Sequence, residues 1–306
     1  MICTPLKFAW NASTLLTLIN PYQPSKKDMH GLKRRATTAA IFVVIMLAGL
    51  FGGRYSFIAL FATITALCLW EYLSLMLDRH TRRDFTRMVI GVAFGLTPFV
   101  LAAMFQLGQI KFEEQFVIVT SFLFFPFIFL AFIYELFTGS ATPFQNVATI
   151  VLGMIYIGAP FALLDFIAFN GDQFYAKTVF GLLVLTWMND TGAYLIGSRF
   201  GKHKLLPRIS PGKTWEGTLG GVVVTFLVAF LLCFFENVHR LIDWFVLAGI
   251  VSVFGTMGDL IESMLKRSVG VKVSGNLMPG HGGVLDRFDA FIFLLPFAAA
   301  YLLYIR

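Results

Sequence analysis

Stretches of about twenty residues with almost no charge recur along this chain, and nothing else in it restricts the fold so severely. In hydrocarbon the backbone N–H and C=O groups must find partners within the segment itself, which a helix allows and an open strand does not. At roughly 20 apolar residues per crossing, the candidates are Thr37–Gly53, Tyr55–Leu77, Met88–Gln106, Gln115–Leu136, Phe144–Phe169, Thr178–Ile196, Leu219–Phe235, Trp244–Met257 and Phe288–Ile305. Composition agrees. Of 306 residues 58% are hydrophobic and 13% charged, against about 25% charged in an ordinary soluble domain. A membrane barrel would instead show alternating segments of about ten residues. The chain therefore reads as all-α: a polytopic membrane protein of about nine transmembrane helices.

The cations orient it. Taking the gaps between spans alternately, one side holds Lys26, Lys27, Lys33, Arg34 and Arg35, then Arg79, Arg82, Arg83 and Arg87. The same side continues with Arg199, Lys202, Lys204, Arg208 and Lys213, then Lys266, Arg267, Lys272 and Arg287. The other side holds Arg54, Lys111, Lys177, Arg240 and Arg306. An excess of Lys and Arg marks the cytoplasmic face. The N-terminus is thus expected inside and the C-terminus outside, in the cell (inner) membrane. The net charge of +7 does not make this a nucleic-acid binder, because the cations are spread between spans rather than gathered on one face. Cys3, Cys68 and Cys233 offer no disulfide framework or metal spacing.

Three regions follow. Residues 1–36 are expected to be a cytoplasmic extension that lacks signal-peptide features. The part before Met29 reads as disordered or as an artefact of the assigned start. Residues 37–175 are apolar spans with few ionisable groups, Glu71 being the main exception, and 176–306 carry the acids, bases, Gly and Pro. A polar site is expected at the cytoplasmic ends of these C-terminal helices.

Its candidate residues fall into four groups. Asp190 sits inside an apolar run, where a carboxylate is costly and either paired or functional. Lys213 follows a Ser210-Pro211-Gly212 turn that fixes its direction. Gly212-Lys213-Thr214 fails as a nucleotide-binding P-loop, since Pro207 stands where that loop needs glycine. Asp259, Glu262, Ser263 and Lys266, at i, i+3, i+4 and i+7, share one helix face if the eighth span runs on, with Arg267 beside them. Finally, Pro279-Gly280-His281-Gly282-Gly283 gives glycines whose amides can meet an anion, leading into Asp286, Arg287 and Asp289 at a helix start. Oxygen ligands from Asp259 and Asp286, with Asp190 or Asp289 nearby, suit Mg2+ beside phosphates. No Cys/His cluster fits zinc and no Ser-His-Asp set fits covalent catalysis.

Ser263-x-x-Lys266-Arg267, Lys272, Gly275, Leu277-x-Pro279-x-His281-Gly282-Gly283 and Asp286-Arg287-x-Asp289 together resemble the signature of the CDP-diacylglycerol synthases, or phosphatidate cytidylyltransferases. Ser210-Pro211-Gly212-Lys213-Thr214 with Glu216-Gly217, the Asp190 segment and Gly258-Asp259 are similar to the same family, over about residues 176–306. The resemblance implies a Mg2+-dependent enzyme with CTP and phosphatidate as substrates, the bilayer as its environment, and homodimerisation left open. It implies metal ligation by Asp259 and Asp286, charge balance from Lys213, Lys266, Arg267 and Arg287, and phosphate orientation by Ser263 and the His281 turn. Alternatives are another CTP-dependent lipid enzyme (a polyprenol kinase or an isoprenoid-lipid cytidylyltransferase) and an anion transporter, whose charges would sit at the membrane midplane. One departure stands out: the family's Lys-Asp pair is Lys272-Val273 here. Because Asp259, Asp286 and Asp289 remain, Val273→Asp is expected to leave turnover close to the parent's. A large gain in a rate assay would mark the missing carboxylate as essential.

Overall fold

The computed structural model describes residues 28–77, 82–110, 114–171, 173–235, 238–275, 277 and 282–305. The reading of residues before Asp28 therefore lies outside the described residues. The chain folds as α1 (Asp28–Phe51), α2 (Arg54–Met76), α3 (Arg82–Gln106), α4 (Glu114–Thr138) and α5 (Pro143–Gly153). A π-helical turn, Met154–Gly158, then leads into α6 (Ala159–Ala168) and a small hairpin of β1 (Phe169–Asn170) and β2 (Gln173–Phe174). α7 (Ala176–Phe200) is followed by a second hairpin, β3 (Lys204–Leu206) with β4 (Ser210–Thr214), and by α8 (Trp215–Phe235). The last passages are α9 (Leu241–Ile250), a second π turn (Val251–Gly255), α10 (Thr256–Ser268) and α11 (Leu285–Ile305).

Among the described residues, 8 helical passages are long and apolar enough to cross a membrane. Two of them, Pro143–Ala168 and Leu241–Ser268, run through a π turn. The first expected span appears as the shorter apolar stretch Thr37–Phe51 of α1. The protein is thus an all-α, multi-pass membrane protein with two short hairpins that the apolar pattern does not announce. Ser210–Thr214, expected as a turn, is an antiparallel strand paired through Lys204↔Thr214 and Leu206↔Ser210. Proline is tolerated there because a two-stranded ribbon leaves each strand an open edge.

Lipid tails are as apolar as leucine, so helices associate in a bilayer through close packing rather than through expulsion of water. Glycine makes such packing available. A Cβ on Gly221 would lie 2.8 Å from Asn189 O, and one on Gly217 would lie 2.8 Å from Ala193 O, so α8 lies directly against the α7 backbone. At Gly158 the approach is closer still, 1.9 Å from the Gly95 carbonyl of α3. Phe57, Phe61, Phe94, Phe161, Phe288 and Phe291 fill the interior between these contacts. A buried ion pair between Arg87 and Glu135 ties α3 to α4, and Asn146 Nδ2 donates to Glu135 Oε2 at 3.1 Å from α5.

Gly158→Ala forces a methyl against a carbonyl that cannot move without its helix. It should therefore cost about 1–3 kcal/mol by overpacking. Gly249→Ala, with nothing within 4 Å of its Cβ, should be close to neutral. Thermal denaturation of the two variants in one detergent checks the contrast.

Candidate active site

Five separate segments converge on one cavity of about 470 Å3: α7 brings Asn189 and Asp190, β4 brings Lys213, α8 brings Gly217 and Thr218, α10 brings Thr256 and Asp259, and α11 brings Asp286 and Asp289. Local sequence explains each placement. The π turn Val251–Gly255 widens the helix by one residue per turn just before Thr256, a device frequent at functional sites. Gly258 then lets α10 touch α11, since a Cβ there would lie 2.8 Å from Asp289 O and 3.0 Å from Ala290 Cα. Asp259 and Asp289 come side by side as a result. The ridge Gly217–Gly221 on α8 holds α7 close enough for Asn189 and Asp190 to line the same space.

The acids divide into two groups. Asp259, Glu262 and Asp289 each offer an oxygen within 4.8 Å of the others. Glu262 is fully buried and Asp289 only 8% exposed. Three carboxylates this close, two of them away from water, need positive charge between or beside them. Two lysines supply part of it: Lys213 pairs with Asp259, and Lys266 pairs with Glu262. Glu262 Oε1 is buried without a hydrogen-bond partner among the described residues. An all-oxygen set with such an orphaned atom fits a hard divalent cation.

Asp286 is engaged differently. It accepts from Lys266 Nζ at 2.6 Å, from the Gly283 amide at 2.8 Å and from the Ser274 amide at 3.1 Å. Asp259 and Asp286, expected as the metal pair, do line one cavity, but the tight oxygen cluster is Asp259, Glu262 and Asp289. The sequence already put Glu262 on the right helix face. What it lacked was the approach of α11, which turns a polar stripe into a shared site.

The remaining candidates take distinct positions. Arg267 reaches backbone carbonyls, Ile209 O at 3.5 Å and Val271 O at 3.3 Å, which braces the β3–β4 turn and is not a contact with the cavity. Lys266, Ser263 and Lys272 also stand outside the cavity walls, Ser263 half-buried and Lys272 exposed on the loop after α10. Gly282 adopts φ 87°, and a Cβ there would meet Asp286 Oδ2 at 2.7 Å. The Gly283 amide, expected to face an anion, is taken by Asp286. His281, Pro279 and Gly280 lie outside the described residues. Val273 is exposed, 50% accessible.

Lys213 is held by its neighbours. Glu216 accepts from the Lys202 amide at 3.0 Å and the His203 amide at 3.2 Å, and His203 Nδ1 lies 2.6 Å from it. The Trp215 amide returns a bond to His203 O at 2.9 Å. The hairpin is thereby locked to the start of α8, with Lys213 aimed inward.

A second cavity, of about 280 Å3, shares Asp190, Asp286 and Asp289 with the first. Its other walls are Thr38, Phe42 and Val43 of α1, Trp187 of α7 and Arg287. Phe42 packs on Trp187 and Phe288 at ring separations of 6.3 and 6.2 Å. The acids therefore line both cavities, and the second adds an apolar wall from α1 and Trp187 on the side facing them. A larger cavity, about 650 Å3, is walled by Arg54, Gln106, Asn170 and Leu303 among others, none of them acidic, at the opposite ends of these helices.

The cytidylyltransferase family profile matches residues 33–305. A phosphatidate cytidylyltransferase of Bacillus subtilis (strain 168) is 35% identical over 274 residues, covering 88% of this chain and 97% of that protein. One of Staphylococcus aureus (strain COL) is 33% identical over 268 residues, covering 87% and 96%. A third, from Staphylococcus haemolyticus (strain JCSC1435), is 41% identical over 169 residues, covering 55% of this chain and 64% of that protein.

Removing Lys266 leaves two acids facing each other with little water. Lys266→Met is therefore expected to destabilise by about 3–5 kcal/mol, as loss of one member of a buried ion pair does. Lys213→Met, next to a half-exposed Asp259, should change stability by less than about 1 kcal/mol. Unfolding of the two variants in detergent distinguishes them.

Proposed function

The chain belongs to the cytidylyltransferase family, and from that premise we propose that it is a phosphatidate cytidylyltransferase, joining CTP and phosphatidate into CDP-diacylglycerol and pyrophosphate. One observation carries the reading to this geometry: two cavities, one walled mostly by polar residues and one with an aromatic and aliphatic wall from α1 and Trp187, share Asp190, Asp286 and Asp289. The polar chamber suits a nucleoside triphosphate. The cleft faced by Phe42, Val43 and Trp187 suits the glycerol end of a lipid whose phosphate reaches the acids beside Arg287.

The reaction then needs little covalent help from the protein. An oxygen of the lipid phosphate bonds to the α-phosphorus of CTP while the bond from that phosphorus to the bridging oxygen breaks, and pyrophosphate leaves with the electron pair. The nucleophile is already an anion, so no side chain has to remove a proton. Positioning and charge stabilisation do most of the work in such transfers. Lys213 can exchange Asp259 for a phosphate oxygen of the nucleotide, and Arg287 lies where the lipid phosphate enters. Asp259, Glu262 and Asp289 would hold Mg2+, which when bound neutralises phosphate charge and polarises the phosphorus centre. Lys266 keeps Glu262 and Asp286 from repelling each other. The cation excess around these loops supports a site on the cytoplasmic face of the cell membrane, where CTP is available.

Purified protein with phosphatidate, Mg2+ and CTP labelled at the α-phosphate should place label in the lipid fraction, and label at the γ-phosphate should stay in water. Lipid labelled from the γ-position would mean a kinase instead. Asp259→Asn and Asp289→Asn should each lower turnover by about 10²-fold or more, the scale of losing one transition-state electrostatic contact. A chelator should abolish transfer and added Mg2+ should restore it.

A further inference from the structure

Glu71 lies near the end of α2, in the half of the chain otherwise poor in ionisable groups, and is 3% exposed. Nothing in the transfer reaction described above uses it. Its Oε2 accepts the Leu285 amide at 2.8 Å and the Ser274 hydroxyl at 3.3 Å. Leu285 opens α11, where a first-turn amide has no partner inside the helix and favours a negative charge. A carboxylate separated by 214 positions thus serves as its cap.

The same loop is gripped from its other side. Ser274, whose hydroxyl binds Glu71, gives its amide to Asp286 at 3.1 Å, and Gly283 does likewise at 2.8 Å. Room for this double grip comes from two glycines. A Cβ on Gly283 would stand 2.4 Å from Glu71 Oε2 and 2.2 Å from Ser274 Oγ. One on Gly275 would stand 2.5 Å from Glu71 Oε1. These glycines are therefore required by Glu71's approach, independently of any anion.

We propose that Glu71 is a positioning residue: through the Ser274 hydroxyl and the Leu285 amide it holds Ser274 and the start of α11 so that Asp286 holds Lys266 and faces the shared cavities. The inference rests on reading this site as the transfer centre. It also gives the N-terminal spans a part in the chemistry, since α2 supplies the anchor. Ser274 is the link between the two carboxylates.

The test uses the full-length protein in detergent with Glu71→Ala, Glu71→Gln and Ser274→Ala. Hydrogen exchange at the Leu285 amide should quicken roughly tenfold in Glu71→Ala, the effect of losing a hydrogen bond to a charged acceptor. Amides of α7 and α8 should be unchanged. Turnover should fall by about 10–10²-fold, a displacement effect, with more Mg2+ needed for half-maximal rate. Glu71→Gln, whose carbonyl can still accept from Leu285, should lie between Ala and the parent. In an Asp286→Asn background the Glu71→Ala loss should shrink, because both act through one group. Three outcomes overturn the proposal: parental exchange at Leu285, parental turnover, or losses that simply multiply in the double variant. If Glu71→Ala does not fold, Glu71→Gln and Ser274→Ala carry the same comparison. Absence of cytidylyl transfer by the parent would instead remove the functional reading and leave the exchange result standing.

Discussion

Carboxylates gathered among membrane-spanning helices have to be compensated, and the lysines beside this cluster answer that requirement. Glu262 is wholly buried and Asp289 nearly so, in a molecule whose surroundings are hydrocarbon and phenyl rings. Removing such charges from water costs several kcal/mol each unless partners replace the solvent. Lys266 stands between Glu262 and Asp286, and Lys213 reaches Asp259 from a different segment. Among the described residues the compensation is incomplete at Glu262 Oε1. An acidic cluster that its own lysines do not fully neutralise is prepared for additional positive charge, which phosphate chemistry also needs.

The backbone makes that cluster possible by bringing helices closer than ordinary side chains permit. Gly258 sets α10 on α11, and Gly217 and Gly221 set α8 on α7. Each contact removes a side chain that would have held the acids apart. The π turn before Thr256 adds a rotation that a regular helix lacks. Strain, packing and charge are thus coupled: the glycines spend backbone entropy, the close contacts offset it, and the acids gain a common space. The N-terminal helices join in through Phe42, which walls the second cavity, and through Glu71, which reaches Ser274 and the start of α11.

The spans were legible because hydrocarbon imposes a length and forbids charge. Asp259, Asp286, Asp289 and Lys213 were legible as well, since charge beside such spans demands a reason. Other assignments depended on what approaches from elsewhere. Arg267, expected to balance charge at the site, reaches Ile209 O of the β3–β4 turn and Val271 O after α10. Gly283 looked like an anion donor but serves Asp286. Glu262 was only one position of a polar stripe until α11 came beside it. The strand Ser210–Thr214 carries too little apolar alternation to be seen, and its pairing is held by Glu216 and the His203 backbone.

By itself, the sequence determined that this is a helical membrane protein whose polar residues crowd toward its C-terminal half, because bilayer thickness and the cost of burying charge act on local composition. Which acids come within reach of one another, which lysine faces which carboxylate and which distant glutamate meets Ser274 and the start of α11 were decided only by the tertiary structure. Those pairings depend on helix contacts between segments up to 214 residues apart, and no local pattern records them.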